Sequence, residues 1–221
     1  MARSGAVGPR RQRRRTCTCG AATEAQAAAE DARKRCEEQL LQCSSMGQVY
    51  DSLTTRLEEH VLAANASAEG AEGTIPEAAP LVVGLCGMPG SGKSSISSAV
   101  CTAVNKKLQY EAAVVVPMDG FHYYRMELDQ MEDPQEAHAR RGAPWTFNAR
   151  AFVDRVALLR GERCAEVVRF PAFEHAKKDP EEDVVEVLGQ HQVILVEGNY
   201  LLLQEPVWEE LRTCHLIDEF W

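Results

Sequence analysis

Eight consecutive residues, Gly87, Met88, Pro89, Gly90, Ser91, Gly92, Lys93 and Ser94, complete the pattern G-x-x-x-x-G-K-[ST], and Ser95 follows in the same nucleotide-binding stretch. Each residue type has a task in that pattern. The glycines let the backbone curl until its N–H groups converge on phosphate oxygens. The helix that follows turns its positive end to the same anion. Lys93 reaches the β- and γ-phosphates, and Ser94 offers a hydroxyl to Mg²⁺. Two carboxylates have the placement to join them. Asp119 closes the apolar run "AAVVVPM" (112–118), and Glu197 closes "VILV" (193–196). At the carboxyl end of a strand, Asp119 can take a proton from an acceptor hydroxyl while Lys93 holds the moving phosphoryl group. Glu197 there has a Walker-B-like position, suited to a Mg²⁺-bound water. Gly120 permits close backbone approach, and the rings of Phe121, His122 and Tyr123 can wall a small-molecule pocket. On spacing alone, Asp119-Gly120 reads equally as a turn.

These residues need elements to hold them. The runs "LVVGLC" (81–86), "AAVVVPM" (112–118), "AEVVRF" (165–170) and "QVILVE" (192–197) are short and rich in β-branched residues. Helical stretches are predicted between them, at 93–108, 148–160 and a short piece near 206–214. Strands alternating with helices predict an α/β fold, a three-layer sandwich of the P-loop NTPase kind around a parallel sheet. The 148–160 helix is well marked, capped by Asn148, striped by Phe152, Val153, Val156 and Leu159, and ended by Gly161. Upstream, Val49, Leu53, Leu57 and Val61 recur every four residues and predict an amphipathic helix that docks. Residues 65–80 read as a linker, and 24–46 as an Ala/Glu-rich helical or disordered segment with little to bury.

Composition narrows the classes. The chain of 221 residues is 45% hydrophobic, and its aliphatic runs are too short to cross a bilayer. The net charge is −9 although six arginines and no acid fall within residues 1–23, so the remainder is more acidic still. That balance argues against a nucleic-acid-binding core. The 1–23 segment suits a transit peptide to a chloroplast or mitochondrion; otherwise the protein is expected in the cytoplasm. Eight cysteines show no C-x2-C spacing, which reads as a reducing compartment without a metal cluster.

The segments "GMPGSGKSS", "PMDGFHYY", "RRGAPWTFN", "FPAFEHAKKDP" and "VILVEGNYLLL", in this order, resemble the uridine kinase/phosphoribulokinase/bacterial pantothenate kinase group of P-loop kinases, in its uridine-kinase-like branch. The resemblance covers 47–221, and "VYDSLTTRL" is similar to the helix that precedes the P-loop in that group. It implies an ATP- and Mg²⁺-dependent kinase acting on a hydroxyl of a nucleoside, sugar or pantothenate-like metabolite. Asp119 would be the base, Lys93 and Ser94 the phosphate and Mg²⁺ residues, and Glu197 the acid of the fourth strand. Phe173 and His175 would line the acceptor pocket, with His122, Tyr123 and Arg141 beside them. Two departures weaken a uridine assignment. Asn148 stands where a ribose-binding aspartate is expected, and Phe173 replaces a tyrosine.

The resemblance also implies a fifth core strand and an arginine-bearing lid beyond Trp221. The sequence therefore reads as a kinase fragment lacking the C-terminal strand and the lid. Two rival readings are a lidless nucleotide-binding regulatory module and a P-loop ATPase or GTPase, although no N-K-x-D guanine signature is seen.

Overall fold

The computed structural model describes residues 24–68, 79–161 and 167–221. The basic 1–23 segment, most of the expected linker and Cys164 lie outside them. Thirteen helices and strands follow in chain order: α1 (Glu24–Gln42), α2 (Met46–Ala68), β1 (Leu81–Cys86), α3 (Lys93–Leu108), β2 (Ala113–Pro117), α4 (Arg125–Leu128), α5 (Pro134–Ala139), α6 (Ala149–Leu158), β3 (Val168–Glu174), β4 (Asp179–Val187), β5 (Val193–Gly198), α7 (Glu210–Thr213) and β6 (Glu219–Phe220).

The central sheet is parallel in the order β2-β5-β1-β6. Its strands are buried on both faces, which is why they read as continuous aliphatic runs. Side chains alternate between the faces. Leu81, Val83, Val193 and Leu195 pack with Leu53, Leu57 and Val61 of α2 and Val100 and Val104 of α3. Val82, Val116, Ile194 and Val196 pack with Phe152, Val153 and Val156 of α6 and with Phe170, Trp208 and Leu211. This is the expected three-layer arrangement. Each fully buried side chain of this size contributes about 1.5–3 kcal/mol.

The chain entering β5 from β4 inserts that strand between β1 and β2. Glu197 therefore lies in register with Leu85 on one side and Pro117 on the other. The carboxyl ends of β1, β2 and β5 consequently open onto one edge, as the chemistry requires.

Four expectations need correction. The described part of the 165–170 run, residues 167–170, does not join the parallel sheet. It forms β3, which starts at Val168 and pairs antiparallel with β4. The bulge between Phe170 and Ala172 falls at Pro171, which has no N–H to give to a ladder. Residues 65–68 are not linker but the last turn of α2, where Asn65 Oδ1 accepts from Gln192 Nε2 at 2.9 Å. Helix α1 does have something to bury, because Cys36 sits in the α2–α3 core. Finally, the chain, expected to end before a further core strand, closes on a short strand, β6, paired parallel with β1, with Val83 opposite Glu219 and Gly84 opposite Phe220. The ladder extends past it through Trp221 N to Gly84 O and Cys86 N to Trp221 O, both 2.8 Å.

Candidate active site

The phosphate loop leaves β1 at Cys86 and enters α3 at Lys93. Gly90 (φ 77°) and Gly92 (φ 90°) occupy the left-handed region, open to glycine at little cost. Ser91 N donates to Met88 O at 3.1 Å, and Lys93 Nζ folds back across the loop to the same carbonyl at 3.0 Å. Gly92 caps α3 without any side-chain acceptor, so the opening N–H groups of the helix face the loop's interior as an anion site. Met88, Pro89 and Gly90 are exposed, as are Ser94 and Ser95. Behind the loop, burial pushes the Cys86 thiol up to about 11, against the pull of Lys93, and keeps it unreactive.

Glu197 meets this loop directly. Ser94 Oγ donates to its Oε1 at 3.0 Å, and Ser97 Oγ to its Oε2 at 2.7 Å. The expected Ser94–Glu197 pair is thus brought together. Ser97 was not foreseen, although three residues along a helix from Ser94 is the same face.

Asp119 follows β2 in a 3-10 turn, Met118–Phe121, with its residue exposed at the same sheet edge. Its carbonyl accepts from His122 Nδ1 at 2.7 Å, which fixes the ring and places the proton on Nδ1. Burial holds His122 below the usual histidine range, despite the opposing effect of that carbonyl and of the Asp119 carboxylate. Its ring stacks on Phe147 (centroids 3.9 Å) and meets Phe173 (4.9 Å), which in turn meets His175 (5.3 Å). Arg141 lies 5.4 Å over the Phe173 ring. Its Nη2 donates to Tyr123 O at 2.7 Å and to Asp179 Oδ1 at 3.0 Å. His122, Tyr123, Arg141, Phe173 and His175 are therefore gathered on one wall.

One expected wall residue, Phe121, and the residue at the expected ribose-binding position, Asn148, are engaged elsewhere. Phe121 is buried, with its ring edge-on to Phe152 and Phe170, so it is core. The Asn148 side chain accepts from Ala151 N at 3.1 Å and is engaged as the cap of α6.

Tyr200 and Asp179 are further residues of this region. Tyr200 packs on Phe147 and Trp208, and its hydroxyl donates to Gly142 O at 2.5 Å. Burial raises its phenol, and the charge of Asp119 adds to the effect. Asp179 receives Arg125 N at 2.9 Å, Arg125 Nε at 3.0 Å and the Arg141 bond, tying the wall to the β3–β4 hairpin. Tyr200 is three residues past Glu197, a signal that was available. Asp179 lies within the segment "FPAFEHAKKDP", but its role depends on Arg125 and Arg141, far away in sequence. A separate cavity of about 480 Å³, lined by Leu158, Val168, Val187 and Ile194, opens at the opposite ends of the strands and takes no part in this site.

Comparison with known proteins agrees with this geometry. No family model matches the chain. A Schizosaccharomyces pombe protein provisionally named uridine kinase C227.14 is 41% identical over 138 residues, covering 62% of this chain and 57% of that protein. The ATP-dependent kinase YFH7 of Eremothecium gossypii is 32% identical over 153 residues, covering 59% of this chain and 44% of its own. The chain thus spans about half the length of the curated relatives it matches. Among solved structures, a Silicibacter protein provisionally described as a fructose transport system kinase is 31% identical, with TM-score 0.55, covering 72% of this chain and 71% of that one. The YFH7 crystal structure from Saccharomyces cerevisiae gives TM-score 0.62 at 22% identity, over 72% of this chain and 78% of its own, and speaks for the fold alone. With its phosphate loop, its parallel sheet and a relative 31% identical over most of its length, the chain belongs to the P-loop kinases.

Proposed function

We propose that the protein transfers the γ-phosphoryl group of ATP to a hydroxyl of a small metabolite, with Asp119 as the general base. The observation that carries this reading is the convergence of three strand ends. The phosphate loop follows β1, Asp119 follows β2, and Glu197 sits on β5 in register with both neighbouring strands. ATP would lie along the loop with its phosphates against the opening of α3 and Lys93. Ser94 Oγ is a hard oxygen donor that fits Mg²⁺, and Glu197 Oε1, 3.0 Å from it, would hold a water of the same ion, which would neutralise charge on the phosphates when bound. The wall of His122, Phe173 and His175, backed by the buried ring of Phe147, faces the acceptor, and Asp119 accepts its proton.

The acceptor class consistent with this wall is a hydroxyl-bearing metabolite such as a nucleoside, a sugar or a pantothenate-like compound. With Asn148 engaged in capping, the wall offers no counterpart of a ribose-binding aspartate at that position. The test is a panel of such metabolites with ATP and Mg²⁺, run on the native protein and on Asp119→Asn. Transfer in that variant should fall by at least about a hundredfold, with ATP binding retained. Equal transfer rates in both proteins would remove Asp119 from the role.

A further inference from the structure

Ser97 lies one helical turn below Ser94 on α3, on the face that looks at the end of β5. The two serines grip one carboxylate, Ser94 on Oε1 and Ser97 on Oε2. Their situations differ. Ser94 is exposed at the rim, whereas Ser97 is 2% exposed and has no solvent to turn to. Its hydroxyl is 2.7 Å from Glu197 Oε2 and 3.2 Å from Ser94 O, so its single proton belongs with the shorter, charged contact. The backbone of Glu197 is pinned between Leu85 and Pro117, leaving only its side-chain torsions free.

We propose that Ser97 is a positioning residue that holds Glu197 in its cation-facing rotamer when Ser94 leaves that carboxylate for Mg²⁺. This rests on the nucleotide-binding reading above. Once Ser94 turns to the cation, Glu197 loses its Oε1 donor, and without Ser97 its head would swing freely at the strand end. With Ser97 holding Oε2, Oε1 stays aimed at the phosphate loop, ready to accept from a water of the cation's shell. Groups that orient a metal ligand in this way typically contribute ten- to a hundredfold in metal affinity.

The test uses the full chain and a fluorescent ATP analogue, titrated first in EDTA and then with increasing Mg²⁺. Ser97→Ala should bind the analogue in EDTA as the native protein does. It should need about tenfold more Mg²⁺ to reach half of the metal-induced tightening. Ser97→Thr, which keeps the hydroxyl, should restore the native midpoint, and Ser98→Ala, an exposed neighbour, should not move it. A native midpoint in Ser97→Ala overturns the proposal. So does an equal loss in EDTA and in Mg²⁺, which would mark Ser97 as merely structural. A native protein that binds no nucleotide at all overturns the functional reading and this proposal together.

Discussion

Gly120 and Pro171 meet backbone to backbone. A Cβ placed on residue 120 would lie 2.1 Å from the Pro171 carbonyl oxygen and 2.4 Å from its carbon. Neither atom belongs to a flexible side chain, so the contact cannot be relieved locally. The glycine next to Asp119 therefore serves the fold, letting the β3–β4 hairpin close against the turn that carries Asp119. It does not leave room for a ligand.

Gly120→Ala should accordingly separate the hairpin from the turn. Overpacking against backbone places its cost at about 3 kcal/mol or more, the upper end for such changes. Urea unfolding would show the loss. Phosphoryl transfer should fall with it, because Asp119 and His122 move with the turn. A stability within about 0.5 kcal/mol of the native protein would mean that the hairpin is not seated there.

The same contact shows how far the sequence could be read. Strands β1, β2 and β5 were legible because a parallel sheet buries both faces and leaves unbroken aliphatic runs. Helix α3 and the phosphate loop were legible because glycine spacing and chemistry coincide. Strand β4 was not, since "DPEEDVVEV" turns charged residues to solvent and pairs only with β3. Phe121 is core and not pocket wall; a ring beside an exposed carboxylate at a strand end looks the same in sequence whether it lines a pocket or a core. The locked Gly120 turn directs it inward, onto Phe152 and Phe170. Ser97 and Asp179 act through partners 100 and 38 residues distant, which no local pattern reveals.

Helix α2 is held to the sheet by a buried ion pair, Arg56 with Glu219, in addition to its apolar stripe. Burial pushes the Glu219 carboxyl up despite the Arg56 charge, so desolvation outweighs attraction there. Removing one partner leaves the other charge stranded. Glu219→Ala should cost about 3–5 kcal/mol, whereas the double replacement Arg56→Met with Glu219→Leu should stay near native stability. Chemical denaturation of the three proteins checks this. A double variant as weak as the single one would show that the pair itself is strongly favourable.

Asn148 separates fold from specificity. Its oxygen caps α6, so Asn148→Ala should cost about 1 kcal/mol, and Asn148→Asp should lie within about 0.5 kcal/mol of native. The aspartate restores the residue type that the uridine-kinase resemblance leads one to expect. If the acceptor is a nucleoside, Asn148→Asp should lower its KM; if it is not, KM should stay flat. Thermal unfolding and acceptor kinetics on the same preparations give both readings. A cap loss in Asn148→Asp equal to that in Asn148→Ala would contradict the geometry.

Asp179 supports the wall of His122 and Phe173 through two arginines, and its titration has a definite sign. Burial alone would raise its carboxyl, but the Arg125 N–H and the Arg125 and Arg141 side chains outweigh it and hold it below the usual value. An acid lowered on folding contributes stability above its unfolded pKa, near 3.8, and loses it as pH falls toward the lower folded value. Asp179→Asn should therefore be less stable by about 2 kcal/mol at neutral pH. It should also show a flatter decline in Tm below about pH 4. The freed Arg141 no longer fixes the Tyr123 carbonyl or lies over Phe173, so the acceptor KM should rise while the ATP KM holds. A parallel rise in both constants would place Asp179 in the general stability of the domain and not in the wall.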